Sequence, residues 1–568
     1  MTVSDQDRRL SLGGLLTALL DARLISPQAA HALRSLRQTG DAHPLELIAA
    51  QNLPDPRQVG QYLDLESLCQ WLAKRAGLPY LHIDPLQLDL GATTGLMSAA
   101  FARRHRILAI AADDNSVTVA SAEPFVRKWE ADLVQVLRRP IKHVLASPVQ
   151  INRFSQAFFH MAHSVKGASH QAGTAIPRAN LEQLLDLSAN GRAHEDDDAH
   201  IVTIADWLLQ YAFDQRASDI HLEPRRDQGH LRFRIDGLLH SVYQFPGAVT
   251  LAVVSRLKTL AGMNVAEKRR PQDGRIKTRL PTGNELELRL STLPTTFGEK
   301  LVLRIFDPMV LQQDFAQLGL EGDDLARWLA LIGQRHGLIL ITGPTGSGKT
   351  STLYTTLKHL ATPQVNLCTV EDPIEMVEPR FNQLQVHPAI DLGFAEGTRA
   401  LLRQDPDIIM IGEIRDLETA QVAFQAALTG HLVLSTLHTN DACSAITRLL
   451  ELGLAAHLIK AGLIGVMAQR LVRTLCACKQ KAIPGEAGYL ARGCNECRQT
   501  GYFGRTGIYE LLNMNEGLKT YVHGDIDLAK LRSQAIADGM LTLQQRGAQK
   551  VASGLTTMTE VLRVASGN

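Results

Sequence analysis

The sequence predicts a multidomain α/β protein, and three observations carry that prediction. Apolar strand-like runs alternate with helical patterns from about residue 312 to 474, the pattern of a mostly parallel sheet covered by helices. A glycine-rich turn, Gly343 to Gly348, joins one of those strands (337–342) to a helical run (351–360). The 568 residues amount to about three or four domains at ~100–200 residues each.

Taken in order, the first 163 residues read as a helical and α+β N-terminal domain. Leu15, Leu16, Leu19, Leu20 and Leu24 repeat at helical spacing, and 116–121 alternates like a strand. Residues 164–199 turn rich in Gly, Ser, Ala and His and contain the run Glu195-Asp-Asp-Asp198; this is expected to be a flexible linker with one short helix at 181–187. An α+β domain follows over 200–310. It has a helix at 201–214, strands at 219–222, 230–235, 285–290 and 300–306, and turns at Asp236-Gly237 and Asp273-Gly274. The parallel-sheet core spans 311–475, a cysteine segment 476–497 and a helical C-terminal region 498–568.

Composition narrows the class. Lys+Arg number 59 and Asp+Glu 58, a formal charge of +1, which argues against a protein held on nucleic acid or anionic lipid by bulk charge. Hydrophobic residues make up 45% and charged ones 21%, so disorder is excluded as the overall class. The most apolar long segment, 452–472, is interrupted by His457, Lys460, Gln469 and Arg470 and does not read as a membrane span. The first residues show no apolar export signal, so a cytoplasmic location is expected. Four of the seven cysteines crowd between 476 and 497, which in such a chain reads as metal ligation before disulfides.

Gly343-Pro344-Thr345-Gly346-Ser347-Gly348-Lys349-Thr350 fits G-x-x-x-x-G-K-[ST] and runs on into Ser351. Glycines let the backbone wrap phosphates, a lysine here reaches the β and γ oxygens, and the Thr350 hydroxyl can ligate Mg²⁺. The helix that follows adds the positive end of its dipole. A second acid-bearing strand is then required. Residues 407–413 form a short apolar run ending in Gly412-Glu413; Glu413 either serves the metal or caps the strand and pairs with Arg415. In Val370-Glu371-Asp372-Pro373-Ile374-Glu375, either Glu371 or Glu375 can orient or deprotonate a water, the alternative being a solvated acidic loop. His431 and His438 flank the strand 432–437 with opposite parity, so they do not form a zinc pair. His438, at the carboxyl end, is the one placed to sense a γ-phosphate, although a lone histidine of this kind is more often structural.

Four thiolates suit a tetrahedral structural Zn²⁺. Cys494-Asn-Glu-Cys497 has the usual C-x-x-C spacing, whereas Cys476-Ala-Cys478 is one residue short; buried or free thiols are the alternative. Cys69, Cys368 and Cys443 stand alone and read as core residues.

These motifs together carry a family resemblance. Thr369-Val-Glu-Asp-Pro-Ile-Glu375, Leu402-Arg-Gln-Asp-Pro-Asp407, Gly412-Glu-Ile-Arg-Asp416 and the stretch Thr429 to Thr439 resemble the secretion ATPases, and more narrowly the assembly ATPases of type II secretion and type IV pilus extension. Arg216-Ala-Ser-Asp-Ile-His-Leu-Glu-Pro224, Arg234-Ile-Asp-Gly237, Arg270 to Arg275 and Ser291 to Pro294 agree, as do Leu471 to Cys476 and Gly504 to Glu510. The likeness covers about residue 201 to the C-terminus, with Thr429–Ser435 and Gly465–Leu475 closer to the type II branch.

The resemblance implies a RecA-like P-loop NTPase core and a homohexamer hydrolysing ATP with Mg²⁺. It implies Glu371 as general base, Glu413 as the Walker B acid and His438 beside the γ-phosphate. Arg289 and Arg304, with Arg234 a weaker candidate, would reach the nucleotide from the α+β domain, an isolated salt bridge being the alternative for each. Arg399, Arg403 and Arg415 keep no assigned role. The implied work is pseudopilus assembly and protein export by a type II system, with pilus extension as the alternative. Its partners would be assembly and platform proteins of the inner membrane, through which alone the protein would touch the membrane. A nucleic-acid translocase on the same core is disfavoured by the neutral charge and the cysteine cluster. The opening helix, 15–26, resembles the N-domains of these ATPases, some of which bind cyclic di-GMP through an Arg-Leu-Gly start. Here Gly14 and Leu16 occupy the Arg and Gly positions, which speaks against that ligand and leaves docking to a membrane-anchored partner as the expectation.

Overall fold

The structure is a computed structural model that describes residues 7–34, 42–57, 62–84, 88, 93–174, 195–279, 285–306, 313–481 and 488–565. The chain divides into two compact units, Met1–Phe306 and Asp307–Asn568.

In the first unit, helices Leu12–Asp21, Pro27–Arg34, Pro44–Ala49 and Leu65–Ala76 share a core containing Leu15, Leu16, Leu19, Leu68 and Leu72. Their ends follow from local chemistry. Ser11 caps the first helix by accepting the Gly14 N–H, Asp64 caps the fourth by accepting that of Ser67, and Gly77 stops the fourth at φ +67°. Three strands come next, β1 (Ile107–Ala112), β2 (Val117–Ser121) and β3 (Ile141–Leu145), in the order β1-β2-β3.

Helices Pro148–Thr174 and Glu195–Asp214 enter the stretch expected as linker from both sides. The reason is burial: Val165 and Ala168 join Met161, Ile204 and Leu208 in one apolar core. The short helix expected at 181–187 lies outside the described residues.

That core sits under a six-stranded antiparallel sheet: β4 (Asp219–Pro224), β5 (Gln228–Ile235), β6 (Leu238–Pro246), β7 (Gln272–Arg279), β8 (Glu285–Thr295) and β9 (Gly298–Phe306), ordered β6-β5-β4-β9-β8-β7. Ile220, Leu222, Phe233, Leu290 and Leu303 turn to the core, and the alternate residues carry the charge, as period-2 alternation requires. Asp236-Gly237 is a turn with both residues at positive φ. Asp273-Gly274 is not; both lie inside β7. A Cβ on Gly274 would stand 2.6 Å from the Ala261 carbonyl oxygen, so this glycine serves close approach to the end of helix Gly247–Leu260 rather than a bend.

The second unit is built on the strands β10 (Gly337–Thr342), β11 (Leu367–Glu371), β12 (Asn382–Gln385), β13 (Ile408–Ile411), β14 (Leu432–Leu437), β15 (Leu463–Leu475) and β18 (Tyr502–Asn513). They run in the order β12-β11-β13-β14-β10-β15-β18, parallel throughout except for the last pair. Every residue of β10, β11, β13 and β14 is buried, which is why these strands read as continuous apolar runs rather than alternating ones. Two short strands, β16 (Gln480–Lys481) and β17 (Tyr489–Leu490), pair beside the cysteine segment.

The C-terminal region is not simply helical. It first supplies β18, whose Ile508, Tyr509, Leu511 and Leu512 are buried against β15, and only then the helices Leu528–Ala537, Leu543–Ala552 and Met558–Ala565. The apolar segment 452–472 splits into helix Ala456–Gly462 and strand β15; among the described residues no helix is long and apolar enough to cross a membrane.

Candidate active site

Because β11, β13, β14 and β10 are parallel neighbours, the loops that leave their carboxyl ends gather along one edge of the sheet, where open α/β sheets place their chemistry. That edge collects Glu371, Glu413, His438 and the glycine-rich loop.

The loop follows β10, and helix Lys349–Leu360 follows the loop. Gly343, Gly346 and Gly348 have φ of +150°, +80° and +88°. A Cβ on Gly343 would lie 2.6 Å from the Gln469 carbonyl oxygen, and one on Gly348 would lie 2.8 Å from Gln469 Nε2, so sterics on this turn demand glycine. Pro344, Thr345 and Gly346 are exposed, Thr350 and Ser351 half-buried. Ser347 Oγ, in the glycine-rich loop, is buried and has no hydrogen-bond partner among the described residues. Lys349 donates to the Gly343 and Pro344 carbonyls at 2.7 and 3.2 Å. Burial takes its ammonium down to about 8 against the pull of Glu413, with Arg470 adding to the fall.

Glu413 stands two residues beyond β13 and is paired on both oxygens. Arg415 donates to Oε1, and His438 Nε2 lies 3.4 Å from Oε2. The pairing with Arg415, one of the two readings of Glu413, is therefore present, at the carboxyl edge that also holds the glycine-rich loop. His438 is half-exposed at the carboxyl end of β14. His431, at the other end, lies three residues past helix Leu417–Leu428 and faces the Ala426 carbonyl at 3.0 Å. Glu371, the last residue of β11, is buried and accepts hydrogen bonds from Tyr354, Thr369 and Gln383 at 2.6, 2.7 and 3.0 Å.

Arg289 and Arg304 belong to the first unit. Cross-strand register places Arg275, Arg289, Arg304, Asp219 and Arg234 in one row on the polar face of the six-stranded sheet. Asp219 is buried; Arg304 Nε lies 3.0 Å from its Oδ1 and Arg234 Nε 3.6 Å from its Oδ2. Arg304 is thus ion-paired and still 58% exposed in its side chain, a guanidinium held in place with donors to spare.

The sulfurs of Cys476, Cys478, Cys494 and Cys497 lie within 4.8 Å of one another. Cys476–Cys494 is 3.7 Å and Cys478–Cys497 3.8 Å. A tetrahedral zinc with bonds of about 2.3 Å needs sulfurs about 3.8 Å apart, so the donor set fits that ion in spite of the short C-x-C knuckle. Backbone N–H groups of Cys494 and Gly501 point at Cys497 Sγ at 3.1 and 3.2 Å, as around a ligating thiolate.

A family model described as type II/IV secretion system protein matches residues 194–563. The chain belongs to that family. A model of the MshEN domain matches residues 76–165. The type IV pilus assembly ATPase TfpB of Acinetobacter baylyi is 50% identical over 541 residues, 92% of this chain and 92% of its own length. The type IV pilus assembly ATPase PilB of Myxococcus xanthus is 38% identical over 520 residues, covering 88% and 91%. The type II secretion system protein HxcR of Pseudomonas aeruginosa is 46% identical over 400 residues, covering 70% and 84%.

As a member of the type II/IV secretion system family the chain is an ATPase on a RecA-like core. Its nucleotide edge contains residues that sequence reasoning did not single out. Gln469 accepts from the Thr352 hydroxyl at 2.8 Å and packs under two P-loop glycines. Arg470 donates to the carbonyls of Asn440, Gln469 and Val564 at 2.7, 3.0 and 3.2 Å. It lines a cavity of about 360 Å³ with Pro344, Glu510 and Arg532. The signal was the interruption of an apolar strand by two polar residues. Its meaning needed the pairing of β15 with β10.

Proposed function

We propose that this family member hydrolyses Mg-ATP as a homohexamer and couples turnover to assembly of a pilus-type filament at the inner membrane. The observation that carries the chemistry is the convergence of the P-loop, Glu413 and His438 on one sheet edge. The segment from Gly343 to Ser351 cradles the phosphates with its backbone N–H groups, which Pro344 lacks, and Lys349 exchanges its two carbonyl partners for β and γ oxygens. Thr350 and Glu413 would hold Mg²⁺, which would neutralise charge developing on the phosphates. Glu371 takes the proton of the attacking water and His438 reads the γ-phosphate. Arg289 and Arg304 supply charge to the transferring phosphoryl group, and their position on a separate sheet links hydrolysis to domain motion. Zinc on the four cysteines is structural, because four thiolates leave no site for water.

Pilus extension is the favoured pathway, on the likeness to TfpB along 92% of both chains. Type II secretion is the second reading, supported by the wording of Thr429–Ser435 and Gly465–Leu475 and by the 46% identity to HxcR. The protein works on the cytoplasmic side, joined to membrane-anchored assembly and platform proteins through its N-terminal domain, and not to nucleic acid. The test is a chromosomal Glu413→Gln substitution in the source organism, with surface pili and secreted proteins scored together. Loss of pili with secretion intact is expected. Loss of secretion with pili intact moves the motor to the second pathway, and loss of neither overturns both.

A further inference from the structure

The helix that starts at Lys349 and the strand that ends at Glu371 meet in a closed hydrogen-bond cluster. Glu371 is 4% exposed, and among the described residues no cation pairs with it. Its charge is instead met by neutral donors: the Tyr354 hydroxyl on Oε2, and the Thr369 hydroxyl and the Gln383 amide on Oε1. The phenol is itself enclosed. Tyr354 is 1% exposed, and its oxygen faces the Met376 N–H at 3.4 Å and the Gln383 amide at 3.2 Å, whose hydrogens also have nearer acceptors in the Met376 carbonyl at 2.9 Å and Glu371 at 3.0 Å. With its lone pairs facing those donors, its proton goes to the carboxylate at 2.6 Å rather than to the Met376 carbonyl at 3.2 Å. Burial first, and then the Glu371 charge, push the phenol's pKa upward, so it stays a donor across the working range. A tyrosine that only filled this space would be served as well by phenylalanine. The hydroxyl is used, because without it a buried carboxylate oxygen loses its donor.

We propose that Tyr354 is the positioning residue for Glu371. Its hydroxyl ties the carboxylate to the helix whose first residue, Lys349, takes the phosphates, so that seating of ATP on the loop and the aim of the base are one rigid event. This rests on the reading of Glu371 as the base. The other ionisable groups around the cluster are Asp372 and Glu375 on the loop after β11, and Lys358, one turn further along the helix, which pairs with Glu378 at 3.6 Å. Thr369 and Gln383, from β11 and β12, are neutral.

The experiment measures kcat and KM for ATP across pH 5 to 9 on the full-length protein, for wild type, Tyr354→Phe and Glu371→Gln, with melting temperatures alongside. Tyr354→Phe is expected to lower kcat about tenfold with KM within about twofold. It is also expected to move the acid limb of kcat to higher pH by about half a unit or more, because a donor that favours the ionised carboxylate has gone. Gln383→Leu removes the second tie from the β12 side and is expected to shift the limb the same way, which keeps the test open if the tyrosine variant does not fold. An unmoved acid limb, or a fall in kcat accompanied by an equal rise in KM, overturns the positioning role while an inactive Glu371→Gln upholds the base. Full turnover in Glu371→Gln overturns the base reading itself.

Discussion

Lys349 combines two demands that pull against each other. It must be charged to hold phosphate oxygens, yet burial takes its ammonium from 10.5 to about 8. In the free protein the charged form is therefore lost as pH rises through about 8, and ATP binding above that pH must take up a proton. Affinity is expected to weaken by about tenfold per pH unit above 8. Calorimetric titration at pH 7, 8 and 9, in two buffers of different ionisation enthalpy, checks both the affinity and the proton uptake. Stability responds with the opposite sign. A lysine with a lowered folded pKa costs stability below about 8, and the cost fades as pH rises towards 10.5, since the unfolded chain then binds more protons. Thus the lysine proposed to anchor ATP costs the fold stability while it is charged.

At the scale of elements, the cysteine segment is where a local motif controls a distant part of the sheet. The Leu475 N–H donates to Leu555 and that of Cys476 to Gly501, so the cluster clamps the far end of β15 to the C-terminal region that supplies β18. About one zinc per chain is expected by elemental analysis. Cys478→Ser or chelation is expected to lower the melting temperature by several degrees, in line with the loss of a structural metal. A metal-free protein with an unchanged melting temperature would return the four cysteines to buried thiols. Gly274 and Gly348 mark the contrast in what glycine does: one admits a helix end against a strand, the other admits Gln469 beneath a phosphate loop.

At the scale of the whole molecule, the arginines and the P-loop lie on different compact units, and the proposed homohexamer, with the arginines acting on the nucleotide, would make turnover depend on assembly. Specific ATPase activity is expected to rise more than linearly with protein concentration through the monomer-to-hexamer range, measured beside light scattering; a constant specific activity would contradict a shared site. The sequence by itself determined the P-loop, the α/β core, the family and the acids at strand ends, because these depend on short-range spacing and on strands buried on both faces. It also placed four of the six α+β strands, since one polar face leaves a period of two, but missed β6 and β7. It misjudged Asp273-Gly274, where a local turn signal hid a close approach between elements, and the C-terminal region, where β18 is set by the partner strand β15. Only the tertiary structure decided that Glu413 is shared between Arg415 and His438, that Glu371 is enclosed by Tyr354 and Gln383, and that four arginines stand in one row around Asp219. The Arg415 pair lies two residues from Glu413 and was one of its readings, but the His438 contact, the enclosure of Glu371 and the arginine row join separate elements through the fold, and none of these is written in the spacing of a single segment.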